Sequence, residues 1–422
     1  MATMSWLRRH FPADLCWFLT LVVIVRGGVL VARCSQLSAD PDGYRVLARN
    51  VVEHGTLGRE RQPTAYRPPL YPLLLTICEA GPWNSQAAIA ALHFVLGLAT
   101  VCLTVHLARR WQLAEFSYLA GGLVACDPVL LHQSTFVMTE TLAAFLATLS
   151  LAAVSAAAQA TGRRRVVLTA LAGASFGLAA LCRPTFVASL AFVAVALAWT
   201  LRGVRERLTC LATMLLAAAL VVAPWAVRND LRFNKPIVTT THGGYTLLLG
   251  NNADYYDFLR TAPWRAVWHA DRLNERLHES RLGDEVAEDR REYELAWHTI
   301  REQPAMFVYA SLLRLGALWG VLPHATSDAE TAIARMTRYA AAVWYLAVFF
   351  LAVVATASGT ERMTASPWLF AAALAASFTL VHLAYWTDLR MRAPLMPAIA
   401  LLAAAGAKRA FFGMGRARSA AD

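Results

Sequence analysis

Apolar runs alternate with short, arginine-bearing links along almost the whole of this 422-residue chain. About eleven such runs, at 14–33, 86–108, 116–134, 136–158, 166–183, 185–201, 208–226, 305–322, 339–357, 367–386 and 393–412, come near the roughly twenty apolar residues that a helix needs to cross a bilayer. The pattern predicts an all-α polytopic membrane protein with about 11 transmembrane helices. Links carrying Arg109-Arg110, Arg163-Arg164-Arg165, and Arg202, Arg205 and Arg207 follow every second run, which puts them and the N-terminus on the cytoplasmic side. Beyond residue 304 the alternation breaks down. One crossing per run would leave Arg390 and Arg392 in the cytoplasm and Lys408 and Arg409 outside, against the charge rule. A re-entrant 305–322 restores the expected sides.

Two polar regions interrupt this pattern on the outer side of what reads as one domain, 1–422: a first loop at 34–85 and a second at 227–304. In the first, Tyr44, Leu47, Ala48, Val51 and Val52 recur at helical spacing and predict the apolar face of a short surface helix, with Arg45, Arg49 and Glu53 opposite. Asp40 stands at its start with Pro41 at the first helical position. Gly55 stops it, and Arg67-Pro68-Pro69 with Tyr71-Pro72 predicts a stiff, non-helical return to the bilayer. In the second loop, Val286, Tyr293, Trp297 and Ile300 share one face of a further surface helix that ends before Pro304.

Composition narrows the class. With 57% hydrophobic residues, 16% charged and a mean hydropathy of +0.43, the chain is no soluble enzyme. The net charge of +11 raises nucleic acid as a partner, yet the arginines sit between apolar runs, where they set orientation. Membrane lipids are therefore the expected surroundings, and no nucleic acid is expected. The seven cysteines form no CxxC or His-paired metal spacing, and no Walker-type or GxGxxG loop offers a nucleotide pocket.

A few polar residues stand out against the apolar background. Asp40 and Asp42 are either helix-start acceptors or a general base, and the two roles are compatible. Glu140 falls in or just below an apolar run, where an unpaired charge costs roughly 2.5–3.5 kcal/mol. It is either an interfacial group bonded to Thr139 or Thr141, or a site-lining carboxylate. Arg183, just before Pro184, either snorkels or binds phosphate. His242, in the hydroxyl- and glycine-rich stretch THGGY, is either hydrogen-bonded locally or in contact with a sugar or metal.

These residues fall in stretches that carry a resemblance. Asp40 four residues before Tyr44, then LARNVVEHG and YRPPLYP, resembles the first outer loop of GT-C glycosyltransferases related to protein O-mannosyltransferases and to the lipid A aminoarabinose transferase. VMTETL at 137–142, LCRPT at 181–185, PWAVRNDLRFNKPIVTTTHGGYTLLLGNN at 224–252 and TDLRMRAPLMPAIALLAA at 387–404 follow in the family's order over most of the chain. The resemblance implies a GT-C type bundle with amphipathic surface helices in two outer loops. It also implies a glycosyltransferase, hexosyl- or pentosyl-transferring, that moves a monosaccharide from a polyprenyl-phosphate carrier to a hydroxyl of a lipid, glycan or protein acceptor. The setting would be the bacterial inner membrane, with the active site facing the periplasm or exterior.

By the same resemblance Asp40 is the base of an inverting single displacement, with Asp42 and Glu140 in the catalytic set. Arginine's fork suits phosphoryl oxygens, so Arg67, Arg390 and Arg392 are expected on the departing phosphate, and Tyr44, Tyr71, Arg183 and His242 around the substrates. Two departures from the family pattern are visible: Pro41 separates Asp40 from the second carboxylate Asp42, and Met391 replaces the aromatic residue between the two C-terminal arginines. No cofactor is required, and a divalent cation stays open. The alternative is a lipid-linked-saccharide transporter or a non-catalytic membrane subunit. A transporter predicts broken or charged helices in two related halves, whereas here polar material gathers in two loops on one side.

Overall fold

The computed structural model describes residues 13–263, 266–325, 330–357 and 363–419. Among them, seven helices are long and apolar enough to cross a membrane: Asp14–Ala32, Ser85–Arg110, Glu140–Gln159, Gly162–Cys182, Val204–Phe233, Ala332–Ala357 and Leu389–Phe411. Leu70–Glu79, Thr185–Thr200, Pro304–Trp319 and Trp368–Ala384 are shorter and equally apolar. The only strands among the described residues are Gly58–Arg59 and Gln62–Pro63, an antiparallel pair.

Two expected elements differ. The run 116–134 is not one helix but two, Ser117–Ala125 and Pro128–Gln133. Asp127 caps the second by accepting from Leu130 N, with Pro128 in its first turn, so the Asp-Pro pair restarts the helix. The stiff return after Arg67 is in fact the helix Leu70–Glu79, capped at Pro69 and holding Pro72 in its first turn. A proline there removes only an N–H that has no helical partner.

Small residues bring the bundle's helices together. A Cβ on Gly173 would stand 2.2 Å from the Met214 carbonyl oxygen, and one on Gly406 1.8 Å from that of Leu351. The helix pairs Gly162–Cys182 with Val204–Phe233, and Ala332–Ala357 with Met396–Ser419, therefore pack backbone to backbone.

Contacts also show which ends of the last segments lie together. Lys408 Nζ donates to Gln112 O at 2.8 Å, beside Arg109 and Arg110, and Trp368 packs edge-on against Trp111 at 4.9 Å. Both residues thus lie at the arginine-rich end. Arg390 lies at the opposite end, with Glu140 at the start of its helix. Pro304–Trp319 leaves the second loop and ends where Leu318 and Gly320 present carbonyls to Arg392, in the turn that carries Arg390.

The loops dock on each other rather than lying separately on the membrane. Glu285, at the start of the helix Glu285–Glu302, accepts from Thr64 Oγ1 at 2.6 Å, Ala65 N at 2.7 Å and Thr241 Oγ1 at 3.3 Å. Arg228 donates to the carbonyls of Thr64 and Leu57 at 3.0 and 2.9 Å. The first-loop helix Tyr44–His54 is anchored through Arg45, which is buried and not on the solvent face: Glu79 takes Arg45 Nε at 2.7 Å and Arg49 Nε at 2.9 Å. Val52, expected on the apolar face, is exposed.

Candidate active site

Asp40 is held by the helix it precedes. Its Oδ2 accepts from Arg45 N at 2.9 Å and Val46 N at 3.1 Å, where the exposed N–H groups of a first turn favour a carboxylate. The helix starts at Tyr44, not at Pro41, because Asp40 to Gly43 form a turn closed by Gly43 N on Asp40 O at 3.2 Å, with Gly43 at φ 74°. One oxygen is thereby spent on positioning. The other, Oδ1, is shielded from solvent and has no hydrogen-bond partner among the described residues.

Asp42 faces a different group. Its Oδ1 pairs with Arg67 Nη2 at 3.0 Å, and its carbonyl accepts from Arg67 Nε at 3.1 Å. Arg67 also lies over the rings of Tyr44 and Tyr66 at 5.7 and 5.4 Å. Its Nη1 is 3.2 Å from His242 Nε2, and since a guanidinium only donates, Nε2 accepts and the imidazole proton is on Nδ1. Burial, reinforced by Arg67, pushes His242 down to about 3, so the ring is neutral. Burial likewise raises the Tyr44 phenol well above its ordinary value, so it is a hydrogen-bonding group and not a base. The two glycines after His242 serve docking: a Cβ on Gly244 would lie 2.1 Å from Asp289 O, and one on Gly243 2.0 Å from Tyr293 Oη.

Below this layer is a set of charges in apolar surroundings. Glu140 is fully buried at the first position of its helix; Arg183 Nη2 donates to its Oε1 at 3.2 Å, and Arg390 Nη1 is 3.8 Å from the same oxygen. Neither Thr139 nor Thr141 is its partner, and Oε2 has none. Arg183 is brought in because Gly162–Cys182 stops before Pro184. Arg390 is aimed by Asp388, which caps the 3₁₀ turn Leu389–Leu395 through Arg390 N and holds Arg390 Nε, both at 2.9 Å. No hydrogen bond among the described residues uses Arg390 Nη2 or Arg183 Nη1, so both cations keep donors for a ligand. The two layers communicate: Tyr71 lies within electrostatic reach of Asp40 and Glu140, Tyr44 of Asp42 and Arg183, and Arg390 of Asp42.

Two residues expected around the substrates have partners within the chain. Tyr71 is buried, its hydroxyl 2.8 Å from His93 Nε2, with His93 Nδ1 in turn on Ser134 O at 2.7 Å. Arg392 is fully buried, on the carbonyls of Leu318 and Gly320 and 4.2 Å over the Tyr345 ring. It is turned away from Glu140 because residues two apart in a 3₁₀ turn point to different sides.

A cavity of about 900 Å³ opens above Asp40 between the two loops, lined by Asp40, Asp42, Arg67, Tyr66, Tyr245 and Glu292 among others. Burial, with Asp289 and Glu288 nearby, raises Glu292 to about 7. Among the described residues no group of three or more His, Cys, Asp or Glu side chains is arranged to hold a metal ion. Sequence reasoning missed Asp388, Glu285 and His93. Asp388 carries a signal, an Asp two residues before an arginine at an element start. Glu285 and His93 carry none, since their partners are 220 and 41 residues away.

Comparisons with known proteins bear on the fold. Residues 72–234 match the family model of dolichyl-phosphate-mannose-protein mannosyltransferases. No curated protein sequence matches the chain. Among solved structures, the oligosaccharyltransferase AglB of Archaeoglobus fulgidus, in complex with an inhibitory peptide and a dolichol-phosphate, is similar at 16% identity and a TM-score of 0.55, over 98% of this chain and 52% of that one. The apo form of the A. fulgidus oligosaccharyltransferase aligns at 18% identity with a TM-score of 0.54, over 96% and 51%. ArnT from Cupriavidus metallidurans in the apo state aligns at 17% identity with a TM-score of 0.44, over 96% and 77%. The chain thus spans about half the length of the oligosaccharyltransferase it matches. The fold is the membrane GT-C glycosyltransferase fold, as the motifs implied, and the stretch matching the mannosyltransferase model includes Glu140 and Arg183.

Proposed function

We propose that this chain is a membrane glycosyltransferase that moves one sugar from a polyprenyl-phosphate carrier to an acceptor hydroxyl at the outer membrane face. Asp40 Oδ1 takes the proton of the acceptor hydroxyl as its oxygen attacks the anomeric carbon. The bond from that carbon to the carrier phosphate breaks in the same displacement, with inversion, and the phosphate leaves with the electron pair. Arg183 and Arg390 meet the charge that grows on it. Glu140, wedged between them, fixes the spacing of the two guanidinium groups. Arg67 and Asp42 brace the wall between acceptor cavity and carrier site, and His242 holds Arg67. Arg392, seated on carbonyls, leaves the phosphate-binding set.

The observation that carries this reading is Asp40 itself: one carboxylate oxygen is pinned to a helix start, the other has no hydrogen-bond partner among the described residues, and the residue lines a cavity of about 900 Å³. The match to a dolichyl-phosphate-mannose-using family, and the dolichol-phosphate in the AglB complex, support a polyprenyl-phosphate donor. The test is transfer of labelled sugar from purified polyprenyl-monophosphate sugar to cell-envelope acceptors. Asp40→Asn is expected to lower turnover by about 10²–10⁴-fold, the usual contribution of a general base, with carrier binding unchanged. Full transfer by a folded Asp40→Asn variant would exclude the mechanism.

A further inference from the structure

We propose that Arg392 is a positioning residue for Arg390: it locks the short 3₁₀ turn that aims Arg390 at the carrier phosphate, and does so from a buried charge cluster that touches no substrate. This rests on the leaving-group role given to Arg390 above.

The turn Leu389–Leu395 carries both arginines. At three residues per turn, side chains two apart diverge by roughly 120°. Arg390 accordingly reaches Glu140 and Asp388, while Arg392 reaches the other way, to the carbonyls of Leu318 and Gly320 at the end of Pro304–Trp319. A cation at a helix C-terminus answers the unpaired carbonyls and the negative end of the helix dipole. The Tyr345 ring lies 4.2 Å beneath the guanidinium and that of Phe349 5.1 Å away. Tyr345 Oη in turn donates to Asp127 Oδ1 at 3.1 Å, and Asp127 is the residue that restarts the broken helix at Pro128.

Nothing in the proposed chemistry uses this cluster, yet it holds an arginine inside an apolar bundle, where an unpaired charge is costly. Among the described residues Arg392 Nε and Nη2 and Asp127 Oδ2 are buried without a hydrogen-bond partner, so the cluster is not built for the best local satisfaction. Its effect is geometric. Arg392 ties the turn to three other parts of the chain: the end of Pro304–Trp319, the middle of Ala332–Ala357 and the start of Pro128–Gln133. With that side of the turn fixed, Arg390 has only one direction in which to extend, toward Glu140.

The experiment measures kcat and KM for sugar transfer from a polyprenyl-monophosphate donor with Arg392→Lys, Arg390→Met and the double variant. Arg392→Lys keeps the charge beside Asp127 but loses the planar fork, and is expected to lower kcat by about tenfold. The acceptor KM stays within about twofold, because the acceptor side of the site is untouched. Arg390→Met alone is expected to lower kcat by about 100-fold. The double variant is expected to be no worse than Arg390→Met, because Arg392 acts only through Arg390. A double variant whose loss is the product of the single losses, or a folded Arg392→Lys enzyme with wild-type kcat, overturns the positioning role while leaving the glycosyltransferase reading intact. Full activity of Arg390→Met overturns both. If Arg392→Lys does not fold, Tyr345→Leu, which removes the ring beneath an intact Arg392, carries the same expectation and the same refutation.

Discussion

At the scale of single residues, the site separates its charged groups by what each already binds. Asp42 is answered by Arg67, Glu140 by Arg183 and Arg390 at one oxygen, and Glu285 by three donors, whereas Asp40 Oδ1 has no hydrogen-bond partner among the described residues. Glu292 shows how much the docked loops depend on protonation. It caps the start of the helix Gly243–Gly250 at Tyr245 N, next to Asp289, which takes Gly244 N at 2.7 Å. Burial and those neighbouring carboxylates raise it from an ordinary 4.5 to about 7. A raised folded-state value means that this group's stabilising contribution is complete below its unfolded value, and is lost as pH rises through the folded one. Glu292→Gln, a permanently neutral isostere, is therefore expected to melt with the wild type near pH 5 and a few degrees above it near pH 8, as followed by thermal unfolding in detergent. Equal melting temperatures at pH 8 would mean that Glu292 is ionised at no cost. His242 has the opposite sign: its lowered value makes its contribution complete above pH 6.5 and lost as the pH falls toward 3.

At the scale of elements, the decisive contacts are those in which a side chain would not fit. Gly173 and Gly177 let Gly162–Cys182 lie directly on Val204–Phe233, with a Cβ at Gly177 only 2.9 Å from the Ala218 carbonyl oxygen. The first of these helices ends at Arg183 and the second carries Arg228 into the second loop, so their spacing sets that of the Arg183–Glu140 pair and the docked loop. Gly173→Leu is expected to destabilise the protein by about 1–3 kcal/mol, as overpacking does, and to weaken transfer by moving Arg183 off Glu140. Gly122→Leu, with open space around it, is expected to be near neutral in the same melting assay. Equal effects of the two would mean that the helices are not in backbone contact. Helices of this kind were largely legible from hydropathy, because a long apolar run in lipid has one way to satisfy its backbone. The break at Cys126-Asp127-Pro128 escapes a reading of the sequence, because the continuous apolar run masks the Asp-Pro helix start. The site was legible only where motif and location coincided, as at Asp40, Glu140 and Arg183. Arg67, Arg390 and Arg392 carry the same charge, and nothing along the chain shows that Arg67 and Arg390 pair with carboxylates while Arg392 sits on carbonyls. That distinction is made by contacts between residues far apart in sequence.

At the scale of the whole molecule, the charged groups fall at two ends. Glu140–Gln159 is 20 residues long, which at 1.5 Å per residue separates Glu140 from the arginine triplet at 163–165 by about 30 Å, the thickness of a hydrocarbon core. Arg165 pairs with Glu206 at that far end, and Lys408 reaches Gln112 there. Asp40, the docked loops and Arg390 gather at the near end. If arginine-rich links mark the cytoplasmic side, the cavity opens outward. This polarity is open to direct measurement in a cysteine-free background, in intact cells treated with a membrane-impermeant maleimide. Arg281→Cys, in the cavity lining, is expected to label without permeabilisation. Arg164→Cys and Lys408→Cys are expected to label only after it. Labelling of Arg281→Cys and Arg164→Cys from the same side would contradict the fold's polarity. Complete reversal, with Arg164→Cys labelled in intact cells and Arg281→Cys protected, would keep the fold but turn the cavity inward, where its acceptor would have to be a cytoplasmic molecule.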